Sequence, residues 1–213
     1  VQVAKDCIAF GSQGITVHPR PDERHIRYDD VRQLKSAIGD IELNVEGYPS
    51  ESFMQLMDDV RPAQCTLVPD APDALTSDAG WDTITHRDFL REIIGQLQGW
   101  GIRTSLFIET GLRLLDGAKK IRTDRVEFYT GPYAHNFSED PAKAVAPYVL
   151  AGQHCQKIGL GVNAGHDLNT DNLAHFVQHV PDVLEVSIGH ALISDALYWG
   201  LEETHRRYLG CLK

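Results

Sequence analysis

The 213-residue chain carries 20 Lys+Arg against 30 Asp+Glu, a formal net charge of −10. That balance argues against a nucleic-acid or anionic-membrane surface, since neutralising phosphate needs a basic field. Cys7, Cys65, Cys155 and Cys211 lie far apart with no CxxC pair, which reads as reduced thiols in a cytoplasmic protein rather than a disulfide frame or a zinc site.

The length suits one domain, 1–213, with no linker or low-complexity tract to divide it. No apolar run approaches the roughly 18 residues of a membrane span, and no signal-peptide pattern opens the sequence, which begins at Val1. In residues 1–10, Val3, Cys7 and Phe10 share a helical face. Seven short β-rich runs follow, at 14–20, 42–48, 64–70, 102–109, 125–131, 159–166 and 183–190. Helical patterns separate them at 29–38, 50–60, 87–100, 112–120, 141–158 and 170–179, with Ser50 and Thr170 as N-caps, and a last helix covers 194–212.

Such alternation implies right-handed βαβ units and a parallel sheet. A helix followed by seven strand-helix units is the pattern of a (β/α)8 TIM barrel without its first strand and following loop; a seven-stranded open or incomplete sheet is the alternative. The barrel reading expects roughly 20–30 residues ahead of Val1. It also expects a gap of about 9–10 Å between the strand before His18 and the last strand. The longest irregular stretch, 68–85, follows a strand end, where loops of that length act as lids or binding loops.

Chemistry in such folds sits at the carboxyl ends of the strands. In Gly14-Ile15-Thr16-Val17-His18-Pro19-Arg20, alternation turns Thr16, His18 and Arg20 to one face, and Asp22 to His25 fill a polar loop. Glu42, Asn44 and Glu46 share a face of the second run, so Glu46 is an inward carboxylate at a strand end, either a general base or half of an ion pair with an arginine. Glu127 repeats the pattern between outward Val126 and Phe128, with pairing to Arg103 or Arg125 as the structural reading. Asn163-Ala164-Gly165-His166 and Ser187-Ile188-Gly189-His190 each end an apolar run in a Gly-His step. Glycine there lets backbone N–H groups approach a ligand such as phosphate, and histidine can donate a proton.

Taken in order, ITVHPRPDERHI, LNVEG, TLVPDAPDALTSDAGWD, RVEFYTGPYA, GVNAGHDL and EVSIGHALI resemble the strand-end motifs of the pyridoxine 5′-phosphate synthase family, over essentially the whole chain. The resemblance implies a (β/α)8 barrel that condenses 3-amino-2-oxopropyl phosphate with 1-deoxy-D-xylulose 5-phosphate, giving pyridoxine 5′-phosphate, phosphate and water. It implies no metal or organic cofactor, two small phosphorylated substrates, and a homo-oligomer built from dimers. By motif position His18 and Glu46 correspond to proton acceptors, His166 to the proton donor, and Glu127 to a residue that stabilises the transition state. Arg20, His25 and Thr76 correspond to ligands of the deoxyxylulose phosphate, and Asp167, Gly189 and His190 to ligands of the amino-ketone phosphate. The better-known members have glycine where this chain has Asp167, and a carboxylate repels a phosphate unless it turns away.

Two other classes use similar residues. A metal-dependent sugar-phosphate isomerase or aldolase would need His and Asp/Glu converging with metal-ligand geometry. A non-catalytic phosphate-binding barrel would keep the fold without turnover.

Overall fold

The computed structural model describes residues 1–70 and 79–213. Its centre is a parallel sheet in strict sequence order: β1 (Gly14–Val17), β2 (Glu42–Gly47), β3 (Gln64–Leu67), β4 (Arg103–Ile108), β5 (Arg125–Tyr129), β6 (Gly161–Gly165) and β7 (Val183–Ser187). Side chains meet across the sheet's concave face. Gln64 of β3 reaches Glu185 of β7 at 3.3 Å, and Thr16 Oγ1 of β1 stands 3.1 Å from Ser187 Oγ of β7. The sheet therefore curls into a TIM-type (β/α) barrel, whose seven described strands leave β1 and β7 without a ladder between them.

The strands stop short of the apolar runs that predict them. Pro19 lacks an N–H for the ladder, and β1 ends at Val17, so His18 and Arg20 fall in the loop just beyond. His166 and His190 likewise follow β6 and β7.

Helices cover the outer face: α1 (Gln2–Ala9), α2 (Tyr28–Ala37), α3 (Glu51–Val60), α4 (Arg87–Gly99), α5 (Leu112–Lys120), α6 (Gly131–Phe137), α7 (Pro141–Ile158), α8 (Leu173–His179), α9 (His190–Trp199) and α10 (Leu201–Gly210). Ser50 caps α3 as expected, its hydroxyl accepting from Phe53 N at 3.2 Å. Leu90, Ile93, Ile94 and Leu97 make the buried stripe of α4, at i, i+3, i+4 and i+7. Each fully buried side chain of this kind contributes about 1.5–3 kcal/mol. Outward-facing Leu43, Val45, Cys65, Leu67, Leu106, Val126, Phe128 and Val162 are almost inaccessible beneath the helices.

Three expectations change. Thr170 does not cap α8; Asn169 and Asn172 form the turn there, with Asn172 Oδ1 accepting from Asn169 N at 2.9 Å. Residues 131–137 form α6, which Pro132 starts in its first turn. The expected final helix is two, because Gly200 adopts φ 78°, ψ 153°, outside any helical region.

All four cysteines are free thiols, and burial pushes the Cys155 thiol up to about 12. Among the described residues no helix is long and apolar enough to cross a membrane.

Candidate active site

Strand alternation stacks the barrel interior in polar layers. At the amino-terminal end, Glu42, Gln64, Arg103, Arg125, Asn163 and Glu185 form one network. Arg103 forks onto Glu42, and its Nε donates to Gln64 Oε1 at 2.8 Å. Arg125 Nη1 donates to Glu185 Oε2 at 3.1 Å and to Asn163 Oδ1 at 3.2 Å. Above it, Thr66 Oγ1 donates to Asn44 Oδ1 at 3.1 Å, and Asn44 Nδ2 to Thr16 Oγ1 at 3.3 Å.

The carboxyl-terminal layer is of another kind. His18 Nδ1 lies 3.8 Å from Glu46 Oε2, each side chain 19% exposed. Glu127 is buried beside them, and its Oε2 has no hydrogen-bond partner. The arginines that could have paired with Glu127 are committed to Glu42 and Glu185 in the layer below, so the ion-pair reading of Glu127 does not hold. Its other oxygen explains Gly165: a Cβ there would stand 2.4 Å from Glu127 Oε1. The close approach that this glycine permits is to a side chain of the barrel itself.

His166 carries the strained backbone of the Gly-His step, at φ 75°. Neighbouring strands hold it there. His166 N donates to Ser187 O at 3.2 Å, while Asp167 N donates to the Thr130 hydroxyl at 3.2 Å and Thr130 in turn donates to Gly165 O. The imidazole Nδ1 lies 2.7 Å from Asp167 Oδ2, and the ring packs edge-on to Tyr129 with centroids 5.8 Å apart.

These environments separate the four groups. Burial pushes the Glu46 carboxyl up to about 7, against the pull of the His166 charge. Burial, reinforced by the Glu46 charge, holds the Glu127 carboxyl well above the usual range. Burial also drops His18 to about 4, helped by the Arg20 guanidinium. The hydrogen bond to Asp167 raises His166. The layer thus sets a His18 imidazole that resists protonation and a Glu46 carboxyl poised near neutral pH beside a Glu127 carboxyl whose neutral form is favoured and a His166 ring whose charged form is favoured.

Of the remaining predicted residues, Arg20 is buried with its Nη2 3.2 Å from Asp70 Oδ2. His25 is exposed in the loop before α2, outside this buried cluster. Gly189 is exposed as the N-cap of α9, with open space where a Cβ would be, and the His190 ring lies 6.2 Å from that of His166. Thr76 lies outside the described residues.

Sequence reasoning missed Asp70 and the Asp167–His166 pair. Alternation from Gln64 through Thr66 and Val68 puts Asp70 on the inward face, a signal that was available. Next to the site a cleft of about 520 Å³ opens between α6, α7 and the ends of β4 and β5, lined by Glu109, Tyr129, Lys143 and Tyr148. Among the described residues no cluster of three His, Cys, Asp or Glu side chains has metal-binding spacing.

The model of the family described as pyridoxal phosphate biosynthesis protein PdxJ matches residues 1–213. A pyridoxine 5′-phosphate synthase of Porphyromonas gingivalis is 57% identical over 208 residues, covering 98% of this chain and 87% of that protein. One from Parabacteroides distasonis is 56% identical over 212 residues, covering 100% and 89%. In fold, the chain resembles N-(5′-phosphoribosyl)anthranilate isomerase from Pyrococcus furiosus, with a TM-score of 0.65, 10% identity, and coverage of 97% and 91%.

Proposed function

The chain belongs to the pyridoxal phosphate biosynthesis protein PdxJ family and its activity is pyridoxine 5′-phosphate synthesis; we propose that His18, Glu46, Glu127 and His166 carry the ring closure. The reaction joins an amine to a ketone, expels phosphate and closes and dehydrates the ring, a series of proton transfers that needs both acids and bases. One observation supports this division of labour above the others: four titratable groups meet at the strand ends with protonation preferences pushed apart by their surroundings.

His18, held neutral, and Glu46, poised near neutral pH, accept protons. His166, whose charged form the Asp167 carboxylate favours, donates one to the departing oxygen. Glu127, whose neutral form burial favours, offers a hydrogen bond to charge that develops on the substrate, which suits its unsatisfied Oε2. Arg20, oriented by Asp70, and His25 bind the deoxyxylulose phosphate, with Thr76 assigned to the same substrate. Gly189 and His190, at the amino end of α9, bind the amino-ketone phosphate through backbone N–H groups and the imidazole.

The same reading gives two small phosphorylated substrates, a cytoplasmic location and assembly from dimers. Support for assembly comes from α9, where Leu197 and Tyr198 are 81% and 87% exposed.

Incubating the protein with both substrates and following pyridoxine 5′-phosphate by chromatography tests the reading. The expected result is product and inorganic phosphate in equal amounts. Absence of product from folded protein with both substrates bound would defeat it.

A further inference from the structure

Position 167 carries an acidic side chain within the site, 38% exposed, where its charge would oppose a phosphate. Its carboxylate does not stand open to solvent on both oxygens: Oδ2 is 2.7 Å from Nδ1 of the preceding histidine. Adjacent residues in an extended chain point opposite ways. Here they meet because His166 sits in the left-handed region at φ 75°, turning its ring back toward the next side chain. The contact is therefore built by the backbone, and Thr130, just after β5, together with Ser187 of β7 holds that backbone in place. The buried Thr130 hydroxyl accepts from Asp167 N at 3.2 Å and donates to Gly165 O, while Ser187 O accepts from His166 N at 3.2 Å.

From this arrangement we propose that Asp167 is a positioning residue for His166, accepting its Nδ1–H so that the imidazole stays protonated and presents Nε2 to the reaction, and is not a ligand of the substrate phosphate. The inference rests on the reading of His166 as proton donor. A carboxylate against one ring nitrogen selects the tautomer and favours the imidazolium.

Other groups act on the same ring. Glu46 on β2 and Asp70 after β3 favour its charge, and His18 after β1 opposes it when protonated. Tyr129 on β5 and His190 on α9 pack edge-on to it, and Glu127 lies beneath Gly165. Asp167 differs from all of these in making the direct hydrogen bond.

The test uses the whole chain with Asp167→Asn, which keeps an acceptor and removes the charge, and Asp167→Gly, which removes both. The His166 ring is titrated by NMR on 15N-histidine-labelled protein without substrate, its signals assigned with His166→Gln. Turnover is then measured against pH. Because the donor works protonated, rate falls as pH rises through its titration. Asp167→Asn should move both the NMR midpoint and the alkaline limb of kcat to lower pH, costing roughly tenfold in kcat at pH 8 with KM for the amino-ketone phosphate within about twofold. Asp167→Gly should make the same shift and also lose the fixed Nδ1–H tautomer. An unmoved midpoint overturns the proposal. So does a KM for the amino-ketone phosphate raised roughly tenfold with an unchanged pH profile, which would make Asp167 a substrate ligand. If the wild-type protein makes no product, the proposed function fails while the NMR midpoint still decides the role of Asp167.

Discussion

The two ends of the barrel interior hold the same kinds of side chain under opposite conditions. At the amino-terminal end, Glu42 and Glu185 meet Arg103 and Arg125, with Gln64 and Asn163 taking up remaining polar atoms. Burial works against both partners of the Arg125–Glu185 pair, yet each charge faces its opposite. At the carboxyl-terminal end, Glu46 stands near His18, and burial raises the proton affinities of Glu46 and Glu127, the latter reinforced by the Glu46 charge. Compensated charge of the first kind fixes the shape of the barrel. Charge of the second kind is held out of its preferred state, which suits it to take and give protons.

The largest effect that could break this contrast is that of Glu46→Gln. It keeps the shape and removes the base, so kcat should fall roughly a thousandfold. Its stability should move the other way. A carboxyl whose folded pKa is raised contributes stability below its unfolded pKa near 4 and loses it as pH rises through about 7. Glu46→Gln should therefore flatten that decline and leave the protein at pH 8 more stable than wild type in urea melts. A variant that keeps wild-type turnover would remove Glu46 from the chemistry.

The mirror experiment acts on the other end. Arg125→Met removes the nearer cation from Glu185, leaving it Gln64 and Arg103 at 3.9 Å, and should cost about 2 kcal/mol in urea unfolding, discounted from the cost of a fully buried pair because the Arg125 and Glu185 side chains are 19% and 26% exposed. Its kcat per folded molecule should stay within about twofold. A loss of turnover comparable to that of Glu46→Gln would mean that the lower network takes part in the reaction.

Between the layers the smallest change is expected. Thr16→Val removes hydrogen bonds to Asn44 and Ser187 while keeping volume, and should cost about 1 kcal/mol with little effect on kcat. Calorimetry and the turnover assay together would show whether this middle layer belongs to the frame or to the site.

The order of strands and helices is readable from the sequence because the outward faces of the strands are mostly apolar and helices such as α3 carry their own caps. The inward placement of Glu46 and Glu127 follows from alternation alone. Residues beyond the ladders are harder, since alternation ceases with pairing: carried on past Val68 it would have reached Asp70, which went unread, and it says nothing of His166, whose backbone leaves the extended region. The meaning of Gly165 was hidden for a related reason. A glycine at a strand end suggests a ligand nearby, and only the packed barrel shows that Glu127 fills the space. The break at Gly200 lay inside an apolar pattern that continues across it, so periodicity alone ran two helices together.

The fit between Gly165 and Glu127 also bears on how the chain can change over generations. Any side chain at 165 would meet Glu127 Oε1 at 2.4 Å and Ser187 O at 3.0 Å. Two neighbouring strands thus guard one position, and substitutions there are not independent of the carboxylate beside it. A descendant that keeps the Glu127 carboxylate in this position favours Gly165 with it. One that abandons the carboxylate gains room at 165 only on the β5 side, with the β7 carbonyl still closing the other. The two positions are coupled accordingly, since a larger residue at 165 displaces the Glu127 carboxylate from its place in the site.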